Sequence, residues 1–459
     1  MPSYSRTRVS GTGSVKIGEV VETQEPTWFP IATFLLCCLV MLADGFDNQA
    51  INYAAPSIIE EWGINRALMT PVFNISVAGW IAGAFVFAML ADRFGRRPAT
   101  VVTVLVFGVF TLAIPLATNV VELSLLRFCA AFGVGGGMPM AFALVSDYAK
   151  AKRRAFLCTL LFVGYTVGSS GGGMLAAEII PRYGWRSVFY VGGIGALMIG
   201  AILLAALPES VRYLVLRRPT DPRILTYARN LKPAAGFAET ATFSIDEPVK
   251  QGVPMKHLFT DGRFFMTLFL WFGLGFAFMT HYFLSQWMPT LLTPQLGFAN
   301  AARALALFQF GAAFSFIFGF LIDRNGVPVT TLAMILAAVP VAAIGIVPGA
   351  GALATLGVAF VAGLLVLGGD VGASALPAML YPTSIRATAT GAAFGAGRIG
   401  AIVGPLIAGF LIYLDTPLDI IFIVAALPVL AAGVACFLLD RSITPDAARE
   451  MASRAHARA

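Results

Sequence analysis

The sequence predicts an all-helical membrane protein with twelve transmembrane helices in two pseudo-symmetric bundles of six. The composition, a succession of apolar runs and an internal repeat lead to this prediction. Of the 459 residues, 58% are hydrophobic and 12% are charged, and the mean hydropathy is +0.82. A soluble protein of this length would need more polar residues to cover its core. The composition therefore favours a chain that meets lipid over most of its surface.

The apolar runs supply the second observation. Twelve of them reach the roughly 20 residues that a helix needs to cross the hydrocarbon core. They lie at residues 29–54, 68–91, 98–118, 121–145, 156–177, 187–207, 263–288, 303–322, 328–347, 351–380, 387–413 and 417–439. The hydrophilic stretch 208–262 divides them equally. The predicted organisation is thus a tail (1–27), a six-helix bundle (28–207), a central loop (208–262), a second six-helix bundle (263–440) and a tail (441–459).

Charged residues predict the orientation. Basic clusters at 93–97, 150–154 and 208–262 fall on one side of the spans, and connections on the other side hold acidic residues such as Glu60 and Asp415. The positive-inside rule then places both termini and the central loop in the cytoplasm. Because the basic residues follow the topology, we expect no nucleic-acid partner despite the net charge of +7. We expect residues 1–27 to be a solvated tail and not a signal peptide, because no apolar segment lies near the start.

The internal repeat is the third observation. The segment Leu90–Gly95 (LADRFG) follows the second span, and Leu321–Gly326 (LIDRNG) follows the eighth. Two parallel halves imply a transporter whose site lies between them. The five cysteines lie in apolar runs without metal-ligand spacing, so we expect free thiols, no metal and no cofactor.

The segment Ala88-Met-Leu-Ala-Asp-Arg-Phe-Gly-Arg-Arg97 resembles the signature loop of the major facilitator superfamily. Ala88 stands where that family usually has glycine. The resemblance implies the major facilitator fold over about residues 28–440 and a latch that ties helices together in the outward-facing state. The latch residues would be Asp92, Arg93, Arg96 and Arg97, mirrored by Asp323 and Arg324. The alternative is that these charges only direct membrane topology.

Four further segments resemble the aromatic acid:proton symporter family: Asp44-Gly-Phe-Asp47, Tyr282–Pro289, Tyr381–Ala387 and Gly397–Pro405. This resemblance implies uptake of a benzoate-like or hydroxybenzoate-like acid together with protons, by alternating access, across the inner membrane of a bacterium. We expect the partners to be a small aromatic acid, protons and the lipid bilayer, and the working unit to be a monomer. Asp370 departs from the family, which typically has glutamine there.

Charges inside predicted spans are costly and need a reason. From the rise per residue, Asp44, Asp47 and Arg127 lie about 24, 28 and 30 Å above the cytoplasmic face. A carboxylate that pairs with an arginine in one state and carries a proton in the other can couple transport to a proton gradient. We therefore predict that these three residues form the coupling site. The alternatives are a structural ion pair and, for Asp47, an exposed helix end.

Arg398 lies roughly 18 Å above the cytoplasmic face, a depth suited to holding a substrate carboxylate. Asp370 lies at about 16 Å, so we expect it either to pair with Arg398 or to carry a second proton. His281, on the seventh span, could assist proton transfer or bind a phenol, or it could be a structural histidine. We predict further polar substrate contacts from Tyr282, Gln286 and Gln309.

Other functions remain as alternatives. A sugar-porter-like or organic-cation-like carrier of the same fold would explain Asp370. A sensor is a different class, but its output usually needs a longer cytoplasmic extension than tails of about 27 and 20 residues, lengths that follow from the predicted spans. An enzyme is not expected, because no nucleophile–base pair or metal-ligand set is evident.

Overall fold

The computed structural model describes residues 14–245, 255–381 and 385–443, and most of them are helical. The helices are α1 Ile17–Glu22, α2 Trp28–Trp62, α3 Met69–Phe94, α4 Arg96–Ala113, α5 Val120–Tyr148, α6 Ala151–Tyr183, α7 Arg186–Ala206, α8 Val211–Arg217, α9 Arg223–Leu231, α10 Phe264–Leu296, α11 Phe298–Phe310, α12 Ser315–Asn325, α13 Val327–Ala343, α14 Ala352–Leu380, α15 Arg386–Tyr413 and α16 Leu418–Arg441. Two strands, β1 Val15–Lys16 and β2 Phe243–Ser244, form a short parallel pair.

Eleven helical segments of the described chain are long and apolar enough to cross a membrane. They correspond to eleven of the twelve predicted spans, and one of them joins α11 to α12 through a 3₁₀ turn at Gly311–Phe314. The ninth predicted span corresponds to α13, an apolar helix of 17 residues. The all-helical membrane fold is therefore confirmed, whereas the twelfth span and the division into two six-helix bundles stay predictions.

Several helices extend beyond the predicted spans. The helix α2 reaches Trp62 and ends where Gly63 adopts a positive φ of 59°. Residues 55–62 are too polar to be counted in the predicted span. They nevertheless favour a helix except at Pro56, and α2 continues through this proline. A left-handed glycine is a common way to end a helix.

Glycines allow close packing at matching places in the two halves of the chain. On α6, a Cβ atom at Gly168 would overlap the backbone carbonyl of Leu42 on α2. On α15, a Cβ atom at Gly400 would overlap the carbonyl of Gly275 on α10. Small residues let membrane helices approach closely, so van der Waals contact replaces the hydrophobic driving force that lipid cannot supply.

The two halves meet most clearly at one end of the molecule. One end of the molecule carries the connections at residues 95, 149–150 and 207–263, and we call it the basic end. We call the other end the opposite end. Near the opposite end, Ser170 Oγ of α6 donates to the carbonyl of Ala306 on α11 over 2.8 Å. Arg303 Nη2 of α11 lies 2.6 Å from Glu178 Oε1 of α6. These contacts join the halves beyond the midpoint of their helices.

The N-terminal residues 14–27 form what we call the strap. Its strand β1 pairs with β2 of the central connection, and Ile17, Val20 and Val21 are buried against α9. The side chain of Gln24 donates to the carbonyl of Tyr148 over 2.9 Å. The prediction of a solvated tail is therefore wrong for the strap, because its apolar residues share one helical face and find an apolar partner. Residues 1–13 of that predicted tail lie outside the described residues.

Candidate functional site

A cavity of about 50 Å³ lies between the two halves, near the middle of their helices. It is lined by Asn48, Gln49, Ile51, Asn52, Phe73, Ser76, Val77, Trp80, Arg127, Tyr165, His281, Tyr282, Ser285, Gln286 and Arg398. On the side of the opposite end, the ring of Phe73 packs edge-on against Trp287, with 5.2 Å between centroids. A cavity of this volume is far smaller than the roughly 300–1,000 Å³ of typical small-molecule sites, so an organic ligand needs the halves to separate.

Asp47 and Arg127 form a buried ion pair on one wall of the cavity. Arg127 Nη1 lies 3.3 Å from Asp47 Oδ2, and both side chains are at most 2% exposed. Thr111 on α4 donates its hydroxyl to the other carboxylate oxygen of Asp47. The sequence places Asp47 and Arg127 at similar depths in the membrane, and in the structure their side chains are in direct contact. The alternative of an exposed helix end is wrong for Asp47.

Asp44 is buried one turn from Asp47 on α2, at 1% exposure. Its carboxylate packs against Gly137 and the backbone amide of Met138 on α5, but neither oxygen makes a well-formed hydrogen bond within the described chain. The arginine that the sequence suggested as a partner of Asp44 belongs to Asp47 instead. Asp44 is therefore a buried carboxyl group without a matched cation.

Arg398 projects from α15 into the space between the halves. Its guanidinium carbon lies 3.6 Å from the ring centroid of Trp80 on α3, and Nη1 donates to the hydroxyl of Tyr282 over 3.1 Å. The ring of Phe278 is 6.0 Å away. Among the described residues, no carboxylate pairs with Arg398. Aromatic faces attract a guanidinium without neutralising its charge.

Of the two predicted roles of Asp370, pairing with Arg398 is wrong, and carrying a second proton stays a prediction. Asp370 Oδ2 of α14 instead lies 2.7 Å from His281 Nδ1 of α10. Counting residues along straight helices put His281 about 11 Å above Asp370, but helix ends do not share one level and tilted helices bring distant positions together. His281 lines the cavity, whereas Asp370 lies behind it as the partner of the imidazole.

Other polar side chains surround the same space. Of the predicted contacts, Tyr282 and Gln286 line the cavity, and Gln309 lies behind it and donates to Ser285 Oγ over 3.0 Å. The sequence analysis missed Asn48, whose amide donates to the hydroxyl of Tyr165 over 2.6 Å. A signal existed, because Asp44, Asn48 and Asn52 are spaced by four and therefore share one face of α2.

The predicted latch residues lie in a charged cluster at the basic end. Glu209 Oε1 accepts from the backbone amides of Arg96 and Arg97, at 2.8 and 3.1 Å, and so caps α4. The side chain of Arg96 forms an ion pair with Asp147 of α5. Gly95 combines a φ of 109° with a close approach to Glu209, and both features exclude a side chain there. The cluster thus joins the α3–α4 connection to α5 and to the start of α8.

The remaining latch residues are less engaged. Asp92 and Arg324 are exposed. Asp92 interacts electrostatically with Arg96 without forming an ion pair among the described residues. Arg93 lies over the ring of Phe94 at 5.3 Å. The side chain of Asp323 lies outside the described residues. As for other ligands, no group of three or more metal-binding side chains occurs in the described part of the chain, and the five cysteines are free.

Comparisons with known proteins agree with this architecture. The sequence profile of the Major Facilitator Superfamily matches residues 37–369. The chain is 35% identical over 398 residues to the 4-hydroxybenzoate transporter PcaK of Pseudomonas putida, covering 85% of this chain and 88% of that one. It is 34% identical over 415 residues to the gallate transporter of Pseudomonas putida, covering 88% and 92%.

Solved structures show the same fold at lower identity. A bacterial homologue of the human lysosomal transporter Spinster, in an inward-facing and occupied conformation, superposes with a TM-score of 0.73 at 16% identity and covers 91% of this chain and 98% of that one. The xylose transporter XylE of E. coli, partially occluded and inward open, gives a TM-score of 0.62 at 18% identity, covering 87% and 96%.

Proposed function

The chain belongs to the Major Facilitator Superfamily, and on this premise we propose that it imports aromatic carboxylates together with protons by alternating access. The named relatives carry hydroxylated aromatic acids, and this chain is similar to them over most of its length. The single observation that carries the proposal is the setting of Arg398. Membership of a transporter superfamily also argues against an enzymatic function.

Arg398 is the cation to which a carboxylate can bind. The other basic side chains on the cavity wall are engaged within the described chain, since Arg127 pairs with Asp47 and His281 with Asp370. A guanidinium can hold a carboxylate through two parallel hydrogen bonds. The rings of Trp80 and Phe278 beside it would then face the ring of the substrate. An aromatic acid matches both parts of this site.

Asp44 is the proposed proton carrier. An ionised carboxylate without a partner is costly to bury, whereas the protonated group is neutral. Loss of the proton from Asp44 would place a second carboxylate one turn from Asp47, near the cation of Arg127. A rearrangement of Arg127 could then respond to the proton. The pair of His281 and Asp370 is a second candidate for this role, because its imidazole reaches the cavity wall.

The proposed transport cycle uses the two halves as rigid six-helix bundles, with α13 as the ninth of twelve spans. We place the basic end and both termini in the cytoplasm of a bacterial cell and the spans in its inner membrane. Contacts such as Arg303 with Glu178 close the opposite end, which supports an inward-facing state for this structure. In that state Asp92 would be released from the latch, and its lack of an ion pair among the described residues supports this role.

Uptake into proteoliposomes tests the proposal. We expect radiolabelled 4-hydroxybenzoate to accumulate when the outside is more acidic than the lumen, and accumulation to stop with a protonophore. Substrate should exchange across the membrane without a gradient. Binding of sugars or organic cations in preference to every benzoate tested would favour the alternative carrier, and uptake that ignores the pH gradient would exclude proton symport.

A further inference from the structure

Gln286 is a buried carboxamide on the cavity wall that the described chain leaves partly unpaired. It is 6% exposed, lines the cavity, and its carbonyl oxygen has no hydrogen-bond partner among the described residues. Buried polar groups are nearly always hydrogen-bonded, so each exception calls for an explanation. A ligand that supplies the missing donor is one such explanation.

The neighbouring polar groups are already engaged, which singles out Gln286. Ser285 accepts from Gln309 at 3.0 Å, and the carboxamide oxygen of Gln49 accepts from Asn52 at 2.6 Å. Asn48 donates to the hydroxyl of Tyr165. Among the described residues that line the cavity, the carbonyl oxygen of Gln286 is the buried acceptor that makes no hydrogen bond at all.

Gln286 lies one helical turn from the residue that binds Arg398. Tyr282, whose hydroxyl accepts from Arg398, lies four residues before Gln286 on α10. Residues with this spacing share a helix face, about 6 Å apart along the axis. A carboxylate held by Arg398 would thus direct a para substituent along α10 towards Gln286.

We propose that Gln286 recognises a hydroxyl group on the ring of the bound acid and makes the protein select para-hydroxylated aromatic acids over benzoate. This inference rests on the proposed function, because it takes Arg398 as the carboxylate anchor. The carbonyl oxygen accepts the phenolic hydrogen. Benzoate leaves that oxygen unpaired in a closed site, and such a site discriminates strongly against a ligand that lacks the donor.

Binding measurements by calorimetry on the purified full chain test the inference. We expect wild type to bind 4-hydroxybenzoate at least about tenfold more tightly than benzoate, as expected for one buried hydrogen bond. Gln286→Met keeps a similar side-chain volume and removes the acceptor. It should abolish the preference, so that 4-hydroxybenzoate and benzoate bind the variant with similar affinities. The matched control Gln309→Met changes a buried amide that does not line the cavity, and it should retain the preference.

Wild type alone provides a second measurement, which does not depend on the folding of a variant. A 4-amino group also donates a hydrogen bond, whereas a 4-methyl group fills similar space without a donor. We expect 4-aminobenzoate to bind more tightly than 4-methylbenzoate. Equal affinities for 4-methyl- and 4-hydroxybenzoate, or an unchanged preference in folded Gln286→Met, would overturn the inference. If wild type bound none of these acids, the proposed function itself would fail.

Discussion

At the scale of single residues, the ionisable side chains of the site are of two kinds: some lie against an oppositely charged partner, and others do not. Arg127 and His281 face carboxylates, whereas Arg398 lies among aromatic rings. Asp44 is the complementary case, a carboxyl group without a cation. A carrier of an acid and a proton needs one free positive site and one free proton acceptor, and the described cavity region supplies each once.

Replacement of Arg398 tests the carboxylate anchor. We expect Arg398→Ala to abolish binding of 4-hydroxybenzoate, and Arg398→Lys to weaken it strongly, because lysine cannot form the two parallel bonds or stack on Trp80 in the same way. Calorimetry on protein with a wild-type size-exclusion profile measures this. The control Arg217→Ala changes an exposed arginine of α8 and should bind normally. Unaltered affinity in Arg398→Ala would remove the anchor assignment.

The two aspartates of α2 should respond differently to substitution. Asp44→Asn breaks no ion pair, so we expect near wild-type thermal stability, loss of gradient-driven accumulation and surviving exchange. Asp47→Asn leaves buried Arg127 without its carboxylate, which typically costs about 3–5 kcal/mol. It should lower the melting temperature clearly. Measuring both properties for both variants separates coupling from structure. Accumulation by Asp44→Asn at the wild-type level would contradict the coupling role.

Residue-level prediction from the sequence had a definite limit. It placed Asp47 beside Arg127, because both depths follow from counting along nearly parallel helices. It failed for Asp370, because the choice between His281 and Arg398 depends on which neighbouring helix its side chain faces. Helix rotation and tilt are set by packing against neighbours. A single sequence contains no direct record of that packing.

At the scale of helices, close approach depends on particular glycines, and a glycine nearby on the same helix need not share this role. Gly168 of α6 packs against the backbone of α2, whereas a Cβ atom at Gly171 would meet open space. The sequence shows a glycine-rich stretch here but does not distinguish the two positions. The difference arises from the direction in which each residue points.

These two glycines form a matched pair for measurement. Gly168→Ala forces α2 and α6 apart, and overpacking of this kind typically costs about 1–3 kcal/mol. Gly171→Ala adds a methyl group without a clash and gives the helix a better helix former. We expect a lowered melting temperature for Gly168→Ala and an unchanged or slightly raised one for Gly171→Ala. Equal effects of the two substitutions would show that α2 and α6 do not pack as described.

At the scale of the whole molecule, charge pairs at the two ends should bias the conformational equilibrium in opposite directions. Glu178 and Arg303 join the halves at the opposite end. In the proposed cycle Asp92 engages at the basic end only when that end closes. Because the pair at the opposite end is partly exposed, its contribution is small, about 0–1 kcal/mol. Such energies shift populations without blocking transport.

Cysteine accessibility measures this bias. We expect Glu178→Gln to increase labelling from the outside, and Asp92→Asn to increase labelling from the cytoplasm and slow transport without changing substrate preference. The labelling probe is Trp80→Cys in a chain whose five native cysteines are replaced by serine, and transport rates and substrate preference are measured in chains that keep Trp80. Arg324→Gln, at the equivalent connection of the second half, is a useful comparison. Identical labelling in all variants, with normal transport rates, would leave these charges as topology signals.

The strap has a consequence for the order in which the chain is made. Residues 14–27 leave the ribosome before α2 to α16, but Ser14 bonds to Ser244, which follows 230 residues later. The N-terminal segment must therefore wait until α2 to α9 have been synthesised before it finds its place. All the described partners of the strap precede α10, so the strap can dock on the first half before α10 to α16 emerge. Biogenesis would then proceed in two stages. The strap docks on the first half, and the second half is then synthesised and completes the cavity.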